Sequence, residues 1–284
     1  MSLADKAFAW GQYLIPHHPL SRLLGQLTHC REPWLKNALI GTFSRMYGIN
    51  LQEALGSHAR DYGSFNDFFT RPLKPESRPM DKDPNNFLAP ADGCLSQRGT
   101  VTDGQLIQAK GHSYSVEALL GGDPSRAAPF LGGQFLTIYL SPRDYHRLHM
   151  PMTGSLREMI YVPGRLFSVN AATTRTVPGL FARNERVIAL FDTPKGALAL
   201  VLVGALVVAS IETVWHGVVT PPHRRKPEVF CYPEGSLALS QGSEMGRFNM
   251  GSTIIVLLEG PGIDWASTAV AGNPVQMGQT LGRF

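Results

Sequence analysis

Near its end the chain reads Gly246 Arg247 Phe248 Asn249 Met250 Gly251 Ser252 Thr253 and then enters the apolar run Ile254–Leu258. A continuous apolar run bounded by turn-forming residues is typical of a strand that is buried on both faces. Gly251 and Ser252 stand at the entrance of this strand, where the backbone bends easily and little bulk shields the preceding carbonyl. The hydroxyl of Ser252 could therefore attack its own chain, although Gly-Ser-Thr before a strand is usually only a turn.

Similar apolar runs follow one another from about residue 86 onward, separated by clusters of Gly, Pro, Asn and Asp. This alternation is typical of a sandwich or barrel of antiparallel strands. The other runs are Phe135–Leu140, Val187–Phe191, Ala197–Val203 and Leu206–Ile211. The uncharged stretch from residue 197 to 211 is shorter than the roughly 20 residues of a membrane-spanning helix, and Gly204 divides it into two predicted strands.

The first 70 residues have a helical pattern instead. Apolar side chains recur at helical spacing, and prolines are expected to break the segment into short helices. The apolar positions are Leu20, Leu23, Leu24, Leu27, Leu35, Leu39, Phe43 and Met46, and the prolines are Pro16, Pro19 and Pro33. The sequence therefore predicts an α+β protein, with short amphipathic helices over residues 1–70 and a mainly antiparallel β sandwich or barrel-like catalytic body over residues 71–284.

Composition narrows the class of protein. The 284 residues are 43% hydrophobic and 17% charged, which is typical of a folded chain and not of a disordered one. The net charge is +4, without the Lys/Arg runs of a nucleic-acid-binding tail. Cys30, Cys94 and Cys231 are an odd number without CxxC spacing, so we expect free thiols in a reducing compartment and neither disulfides nor a zinc site. We also expect no secretory signal.

Basic and aromatic residues are concentrated at the N-terminus. Between residues 1 and 47, Lys and Arg outnumber Asp and Glu by five to two, and Trp10, Tyr13 and Trp34 lie among them. A basic amphipathic segment with aromatic residues is suited to the headgroup layer of a membrane. The alternative is a helical layer that packs on the protein's own core, and the sequence leaves both open.

Two further stretches contain candidate catalytic residues. The first, Ala89–Gly93, is a turn by residue type, and its Asp92 is either a turn former or a carboxylate that orients a histidine. The second runs from Ser141 to Pro151 and has capping-box spacing and a proline at each end, which predicts about two turns of helix with His146 and His149 on one face. The two imidazoles could bind a metal, transfer protons or be incidental.

Asp92, His149 and Ser252 together have the composition of an acid, base and nucleophile triad, which is recognised by geometry and not by order in the chain. A GxSxG elbow is absent around Ser252, and helices do not alternate with the strands, so an α/β-hydrolase is not expected.

These residues belong to a longer series of matching stretches, and through them the chain resembles the bacterial phosphatidylserine decarboxylases, pyruvoyl-dependent enzymes of phospholipid biosynthesis. The stretches are Phe68–Pro75, Pro90–Gly93, Lys110–Val116, Tyr145–Pro151, Val162–Asn170, Pro178–Arg186 and Glu244–Thr253. The family's cleavage motif commonly reads Leu-Gly-Ser-Thr, and Met250 stands in place of the Leu. Met and Leu are similar in volume, so we expect cleavage to survive.

The resemblance implies a role for each residue. His149, oriented by Asp92, takes the proton of Ser252, whose Oγ attacks the carbonyl of Gly251. The zymogen is thereby cut into chains 1–251 and 252–284, and Ser252 becomes a pyruvoyl group that forms a Schiff base with the substrate amine in place of pyridoxal phosphate. No metal is implied. His146 is the candidate proton donor to the product, and Ser168 and Asn170 are candidate substrate-binding residues.

The resemblance also implies partners. They are phosphatidylserine in an anionic membrane surface, the association of the two self-cleaved chains with each other, and a second copy of the protein in a homodimer, without nucleic acid. The expected location is the cytoplasmic face of the cell membrane, as a peripheral protein. Three alternatives stay open: a serine hydrolase that uses the same triad without cleavage, a lipid- or carrier-binding β module, and a soluble amino-acid decarboxylase.

Overall fold

The computed structural model describes residues 10–13, 16–109, 111–206, 210–220, 226–249 and 252–284, and of Arg22 and Ser252 it describes the backbone only. The α-helices in these ranges are α1 (His17–Thr28), α2 (Pro33–Tyr47), α3 (Phe65–Phe69), α4 (Val116–Leu119), α5 (Pro124–Ala127), α6 (Ala171–Thr176) and α7 (Leu180–Arg183). Short 3-10 turns occupy Leu51–Glu53, Ala59–Asp61, Pro75–Ser77 and Ala128–Phe130.

The strands begin at Asn86, as predicted. They are β1 (Asn86–Leu88), β2 (Gly93–Thr100), β3 (Gln105–Ala109), β4 (His112–Ser115), β5 (Gln134–Leu140), β6 (Arg147–His149), β7 (Gly154–Val162), β8 (Arg186–Thr193), β9 (Gly196–Val203), β10 (Ser210–Thr213), β11 (Gly217–Val218), β12 (Glu228–Cys231), β13 (Ala238–Leu239), β14 (Glu244–Asn249), β15 (Ser252–Leu258), β16 (Asp264–Trp265), β17 (Pro274–Val275) and β18 (Thr280–Arg283). Four of the five predicted apolar runs are strands; of the run 206–211, residues 207–209 lie outside the described ranges.

A nine-stranded antiparallel sheet organises the body. Its order is β12-β7-β8-β9-β15-β5-β2-β17, with β13 also paired to β7. Two smaller sheets have the orders β11-β10-β14-β6 and β1-β18-β16, and β3 and β4 form a hairpin. The predicted α+β class is confirmed, and the sheets are open.

Strand β15 lies inside the large sheet, between β9 and β5, and both of its faces are buried. Ile254 and Val256 belong to one core cluster, together with Phe248 from the four-stranded sheet, while Ile255 belongs to a second cluster with Leu180 of α7. Successive strand residues point to opposite faces, so an uninterrupted apolar run fits a strand covered on both sides. The interpretation of this run as a doubly buried strand is confirmed.

Helices α2 and α3 pack on each other in an aromatic cluster, in which Ile40 meets Phe65, Phe68 and Phe69, whereas His17 of α1 contacts Phe167 of the β body. Pro16 and Pro33 stand at the starts of α1 and α2, as predicted. Pro19, expected to break the helix, instead lies in the first turn of α1, where a missing N–H costs no intrahelical hydrogen bond. Within the described ranges, no helix is both long enough and apolar enough to cross a bilayer.

The helix predicted after Ser141 is wrong. Asp144 accepts hydrogen bonds from the backbone N–H and the hydroxyl of Ser141, both at 2.7 Å, but these contacts close a turn. The chain then enters β6, which pairs antiparallel with β14. Pairing between strands almost 100 residues apart takes up the backbone groups that a helix would need, so tertiary structure overrides the local capping signal.

Candidate active site

The predicted cleavage site lies where the chain crosses from one sheet to another. Strand β14 ends at Asn249 in the four-stranded sheet, and β15 begins at Ser252 in the nine-stranded sheet. Met250, Gly251 and the side chain of Ser252 lie outside what the structure describes. The backbone of Ser252 pairs with Leu140, the last residue of β5. The backbone of the predicted nucleophile therefore lies beside the end of β5, where the chain leaves the large sheet toward β6.

Asp92 occupies the turn before β2 and is buried. Its carboxylate accepts two hydrogen bonds from Arg78, Nε to Oδ1 at 3.0 Å and Nη2 to Oδ2 at 2.5 Å. The backbone N–H of Met277 donates a third, at 2.8 Å. Gly93 follows, and a Cβ there would overlap the carbonyl oxygen of Tyr139. Asp92 is therefore a turn residue, as one interpretation predicted, and also a buried anion with a dedicated cation.

His149 ends β6, and both of its ring nitrogens have partners. Nδ1 lies 2.8 Å from the carbonyl oxygen of Gly242, and Nε2 lies 3.0 Å from the hydroxyl of Tyr145. Because a carbonyl only accepts hydrogen bonds, Nδ1 carries the proton of the neutral ring, and Nε2 accepts from the Tyr145 hydroxyl. This geometry leaves the basic nitrogen of His149 directed at Tyr145.

The electrostatic environment of His149 favours the neutral base. Burial lowers the pKa of this imidazole below its usual 6.5, an effect that the nearby Arg147 reinforces. The Gly242 carbonyl and the negative charges of Glu244 and Asp92 act in the opposite direction and stabilise the protonated form. At neutral pH the ring of His149 is therefore neutral and can accept a second proton, and the nearby anions would stabilise the imidazolium that results.

The structure brings the backbones of the three predicted triad residues to one end of the fold. The N–H of His149 donates to the carbonyl of Pro90, two residues before Asp92, at 2.8 Å. Cys94, two residues after Asp92, pairs with Tyr139, the neighbour of Leu140. A direct Asp92–His149 hydrogen bond is not among the contacts of the described side chains, so in this structure Gly242 fixes the ring of His149, while Asp92 contributes charge.

His146 lies immediately before β6. Its ring is fully buried, with its centroid 4.0 Å from that of Phe69 in the N-terminal aromatic cluster. His149 instead contacts Tyr145 and the carbonyl of Gly242, so the two histidines do not share one face of a helix as predicted. Nδ1 of His146 lies 2.8 Å from the carbonyl of Asp144, Nε2 has no hydrogen-bond partner in the described part of the chain, and burial lowers the pKa to about 3.

Two pockets flank the start of β15. The larger, about 610 Å³, is lined by Asp92 and Tyr145, and the smaller, about 370 Å³, is lined by Thr253. Cys94 and Tyr139 line both of them. Since Tyr139 pairs with Thr253, the two pockets meet beside the residue that follows the predicted nucleophile. A small polar molecule therefore has room on either side of this point.

The two predicted substrate-binding residues have local partners. Asn170 caps α6, its Oδ1 accepting from the N–H of Thr173 at 3.0 Å. The N–H of Ser168 donates to Oε1 of Gln12 at 2.7 Å, and this contact joins the N-terminal segment to the loop before α6. Val169 and Ala171, which flank Asn170, line the smaller pocket. Substrate binding by Ser168 and Asn170 stays a prediction.

Three residues with clear roles in this geometry were not predicted. Arg78 belongs to a Pro-rich link, where sequence gives no periodicity from which to infer a partner. Tyr145 stands in a matching stretch, but its contact with His149 depends on the turn after Ser141. Gly242 contributes only a backbone carbonyl, which no residue type signals.

Comparisons with known proteins cover nearly the whole chain. A family model described as phosphatidylserine decarboxylase matches residues 65–283, and a second model, described as PSD, matches residues 7–48. The chain is 56% identical over 282 residues to the phosphatidylserine decarboxylase proenzyme of Pseudomonas putida (strain W619), covering 98% of both chains. It is also 56% identical over 284 residues to the proenzyme of the same name from Bordetella pertussis, covering 99% of this chain and 95% of the relative.

Proposed function

Because this chain belongs to the phosphatidylserine decarboxylase family, we propose that it converts phosphatidylserine to phosphatidylethanolamine and CO2 in phospholipid biosynthesis. The family resemblance drawn from the sequence and the enzyme class, a carboxy-lyase, are confirmed by these relatives. The relatives are named proenzymes, which describes proteins that require conversion to become active. The observation that carries the mechanistic part of the proposal is the hydrogen-bonded His149, whose Nε2 is available as a base beside the crossing to Ser252.

In the proposed conversion, the Gly251–Ser252 bond is cut by the chain itself. His149 accepts the proton of Ser252, and Oγ attacks the carbonyl carbon of Gly251, so that the peptide bond becomes an ester that then breaks by elimination. Glu244 and Asp92 favour the protonated imidazole that forms in this step. Arg78 keeps the Asp92 carboxylate in place, and Gly242 keeps His149 in the required tautomer.

A pyruvoyl group at residue 252 fits the surroundings that the structure provides. The next residue, Thr253, pairs with Tyr139 on one side and Val203 on the other, so the new chain end would be held by two strands. The smaller pocket beside Thr253 gives a serine headgroup access. Such a group supplies a carbonyl that withdraws the electrons released as CO2 leaves, without metal or pyridoxal phosphate.

His146 is proposed to return a proton to the carbon that has lost CO2. Its ring is neutral, with Nδ1 donating to Asp144 and Nε2 unpartnered among the described residues. Because burial lowers the pKa, Nε2 carries no proton at neutral pH, so in the proposed step it first takes up a proton from solvent and then passes it to the carbon that has lost CO2. Its position against Phe69 fixes the ring plane for that transfer.

The two chains formed by cleavage are proposed to stay associated. The second chain contributes β15, which is hydrogen-bonded to β5 and β9, and also β17 and β18, which pair with β2 and β1. Separation would expose the apolar side chains of β15 on both faces and break the backbone hydrogen bonds of all four of these strand pairings. The homodimer stays a prediction without an argument from the fold.

A peripheral location on the cytoplasmic face of the cell membrane is proposed from the N-terminal helices. Helix α2 buries Ile40 against the aromatic cluster, whereas its Trp34 and Met46 are about 70% exposed, and Leu23 of α1 is 64% exposed. Large apolar side chains on the outer faces of two neighbouring helices, in a basic segment, are suited to insertion between anionic headgroups. The helices thus combine packing on the core with a surface left for lipid.

The proposal is tested by intact-mass analysis of the purified protein and by CO2 release from vesicles of phosphatidylserine. We expect a short chain that begins at residue 252, is blocked to N-terminal sequencing and reacts with borohydride, and we expect Ser252→Ala to remain whole and inactive. An intact wild-type chain whose Ser252 is labelled by a fluorophosphonate would instead identify a serine hydrolase. An intact, unlabelled chain that binds lipid would identify a binding module.

A further inference from the structure

Tyr145 stands between the basic nitrogen of His149 and the larger pocket. Its side chain is only 5% exposed, its hydroxyl lies 3.0 Å from Nε2 of His149, and it lines the pocket together with Asp92. The tautomer of His149 is fixed by Gly242, so the hydrogen of this contact belongs to the tyrosine. Among the described side chains, the group that contacts Nε2 is the phenolic hydroxyl of Tyr145.

The position of Tyr145 in the chain places it near the proposed cleavage site. Strand β5 ends at Leu140, which pairs with Ser252, and Tyr145 lies in the short loop that leads from there to β6. From the other direction, the N–H of Phe248 in β14 donates to the carbonyl of His146, the residue after Tyr145, at 3.0 Å. Both strands that border the crossing at residues 250–251 therefore contact the segment that carries Tyr145.

We propose that Tyr145 relays the proton of Ser252 to His149 during self-cleavage. This inference rests on the proposed function. The phenolic O–H bond breaks as its proton passes to Nε2 of His149, and a new O–H bond forms as the phenolic oxygen takes the proton of Ser252 Oγ. The Oγ electron pair forms the bond to the carbonyl carbon of Gly251, and the carbonyl π pair moves to its oxygen. Tyr145 begins and ends neutral, and His149 becomes the imidazolium.

The surroundings of Tyr145 suit a relay better than a phenolate base. Burial raises the pKa of its hydroxyl, with Glu244 and Asp92 acting in the same direction, so that the group keeps its proton until His149 accepts it. The tilted stacking of the two rings, with centroids 5.7 Å apart, holds the donor and the acceptor in register. A hydroxyl that served only to fill space would not need this alignment.

The variant Tyr145→Phe removes the hydroxyl and keeps the ring. Self-cleavage of the full chain, followed by gel electrophoresis after cell-free synthesis, is expected to slow by about 100-fold or more, the usual scale for loss of an acid–base group. A second readout separates a relay from a packing role. The Tyr145 hydroxyl stabilises the neutral ring of His149, so its removal raises the pKa of His149 and shifts the acid limb of the cleavage profile to higher pH. The matched control is Tyr114→Phe, which alters another buried tyrosine, in a core cluster that does not include Tyr145, and this variant should cleave normally.

The outcomes separate this inference from the function on which it rests. If the wild-type chain is not cut at residue 252, the proposed function fails and the relay with it. If the wild type is cut and Tyr145→Phe matches it in rate and pH profile, only the relay is overturned. Should Tyr145→Phe not fold, cleavage of the wild type in mixtures of H2O and D2O decides: a curved dependence on the deuterium fraction indicates two protons in flight, whereas a straight line overturns the relay.

Discussion

Arg78 forms a two-pronged ion pair with Asp92, and both side chains are at least nine-tenths buried. The guanidinium also contacts Glu53 at 2.9 Å, which ties the turn before β2 to the N-terminal helical region. Planar, bidentate pairing of this kind fixes the direction as well as the position of a carboxylate. The charge of Asp92 near His149 therefore depends on a residue outside the triad.

Loss of Arg78 is expected to destabilise the fold and slow cleavage together. Arg78→Ala leaves the Asp92 carboxylate buried without its cation, which should lower the free energy of unfolding by roughly 3 kcal/mol or more. Arg78→Lys keeps the positive charge but not the two-pronged guanidinium contact, so its free energy of unfolding should fall by less than that of Arg78→Ala. Urea denaturation in a Ser252→Ala background, where the chain stays whole, measures the stability of both variants, and gel electrophoresis of the same variants with Ser252 retained measures the rate of cleavage. Arg157→Ala, which breaks the exposed pair with Asp192, is the control and should change stability little.

The rate of self-cleavage should depend on pH through His149. The base must be unprotonated, and burial lowers its pKa, so we expect the rate to rise with pH and to level off below the usual histidine value of 6.5. Glu244→Gln removes an anion that favours the imidazolium and should move the limb to still lower pH. Cleavage rates measured between pH 5 and 8 provide the test, and a rate profile whose acid limb has its midpoint above pH 6.5 would contradict the prediction.

Stability should fall in acid because of His146. The folded pKa of about 3 lies below the unfolded value of 6.5, so the unfolded chain binds the proton more readily. The stabilising contribution is complete above pH 6.5 and is lost as the pH falls toward 3, by at most about 1.4 kcal/mol per pH unit. In a Ser252→Ala background, His146→Phe should lose less stability between pH 7.5 and 5 than the parent. His29→Phe, on an exposed ring, should behave like the parent.

The exposed apolar side chains of the first two helices should govern membrane binding. Leu23→Glu with Trp34→Glu introduces charge where insertion is proposed, so the fraction that floats with anionic vesicles should fall several-fold while self-cleavage continues. Val229→Glu with Val270→Glu alters exposed apolar positions on the β body and serves as the control. Equal flotation of both double variants would count against a lipid role for α1 and α2.

The parts of the fold that could be predicted are those that a local pattern specifies. The run Ile254–Leu258 is apolar at every position, which is possible only for a strand with two covered faces or a buried helix, and its length favours the strand. Asp92, His149 and Ser252 could be proposed because their residue types are suited to one reaction. Their roles stay predictions, but the structure brings their backbones to one end of β5.

The parts that could not be predicted depend on distant partners. Ser141 and Asp144 make one of the two hydrogen bonds of a capping box, from the Ser141 N–H to the Asp144 carboxylate, yet the residues that follow pair with β14 as a strand and not as a helix. Local sequence holds no information about that pairing. Local sequence also does not indicate that Asp92 pairs with Arg78 or that His149 binds the carbonyl of Gly242, because Arg78 and Gly242 lie in loops without periodicity.

The central place of β15 in the large sheet would set the timing of the proposed self-cleavage. In chain order this strand follows both of its neighbours, β5 and β9, so a ribosome delivers it only after they have been made. Until it arrives, the two neighbours have a gap between them, and Ser252 has no fixed relation to the loop that carries Tyr145. Under the proposed mechanism, a nascent or misfolded chain would therefore keep its Gly251–Ser252 peptide bond, and cleavage would follow only once the sheet is complete.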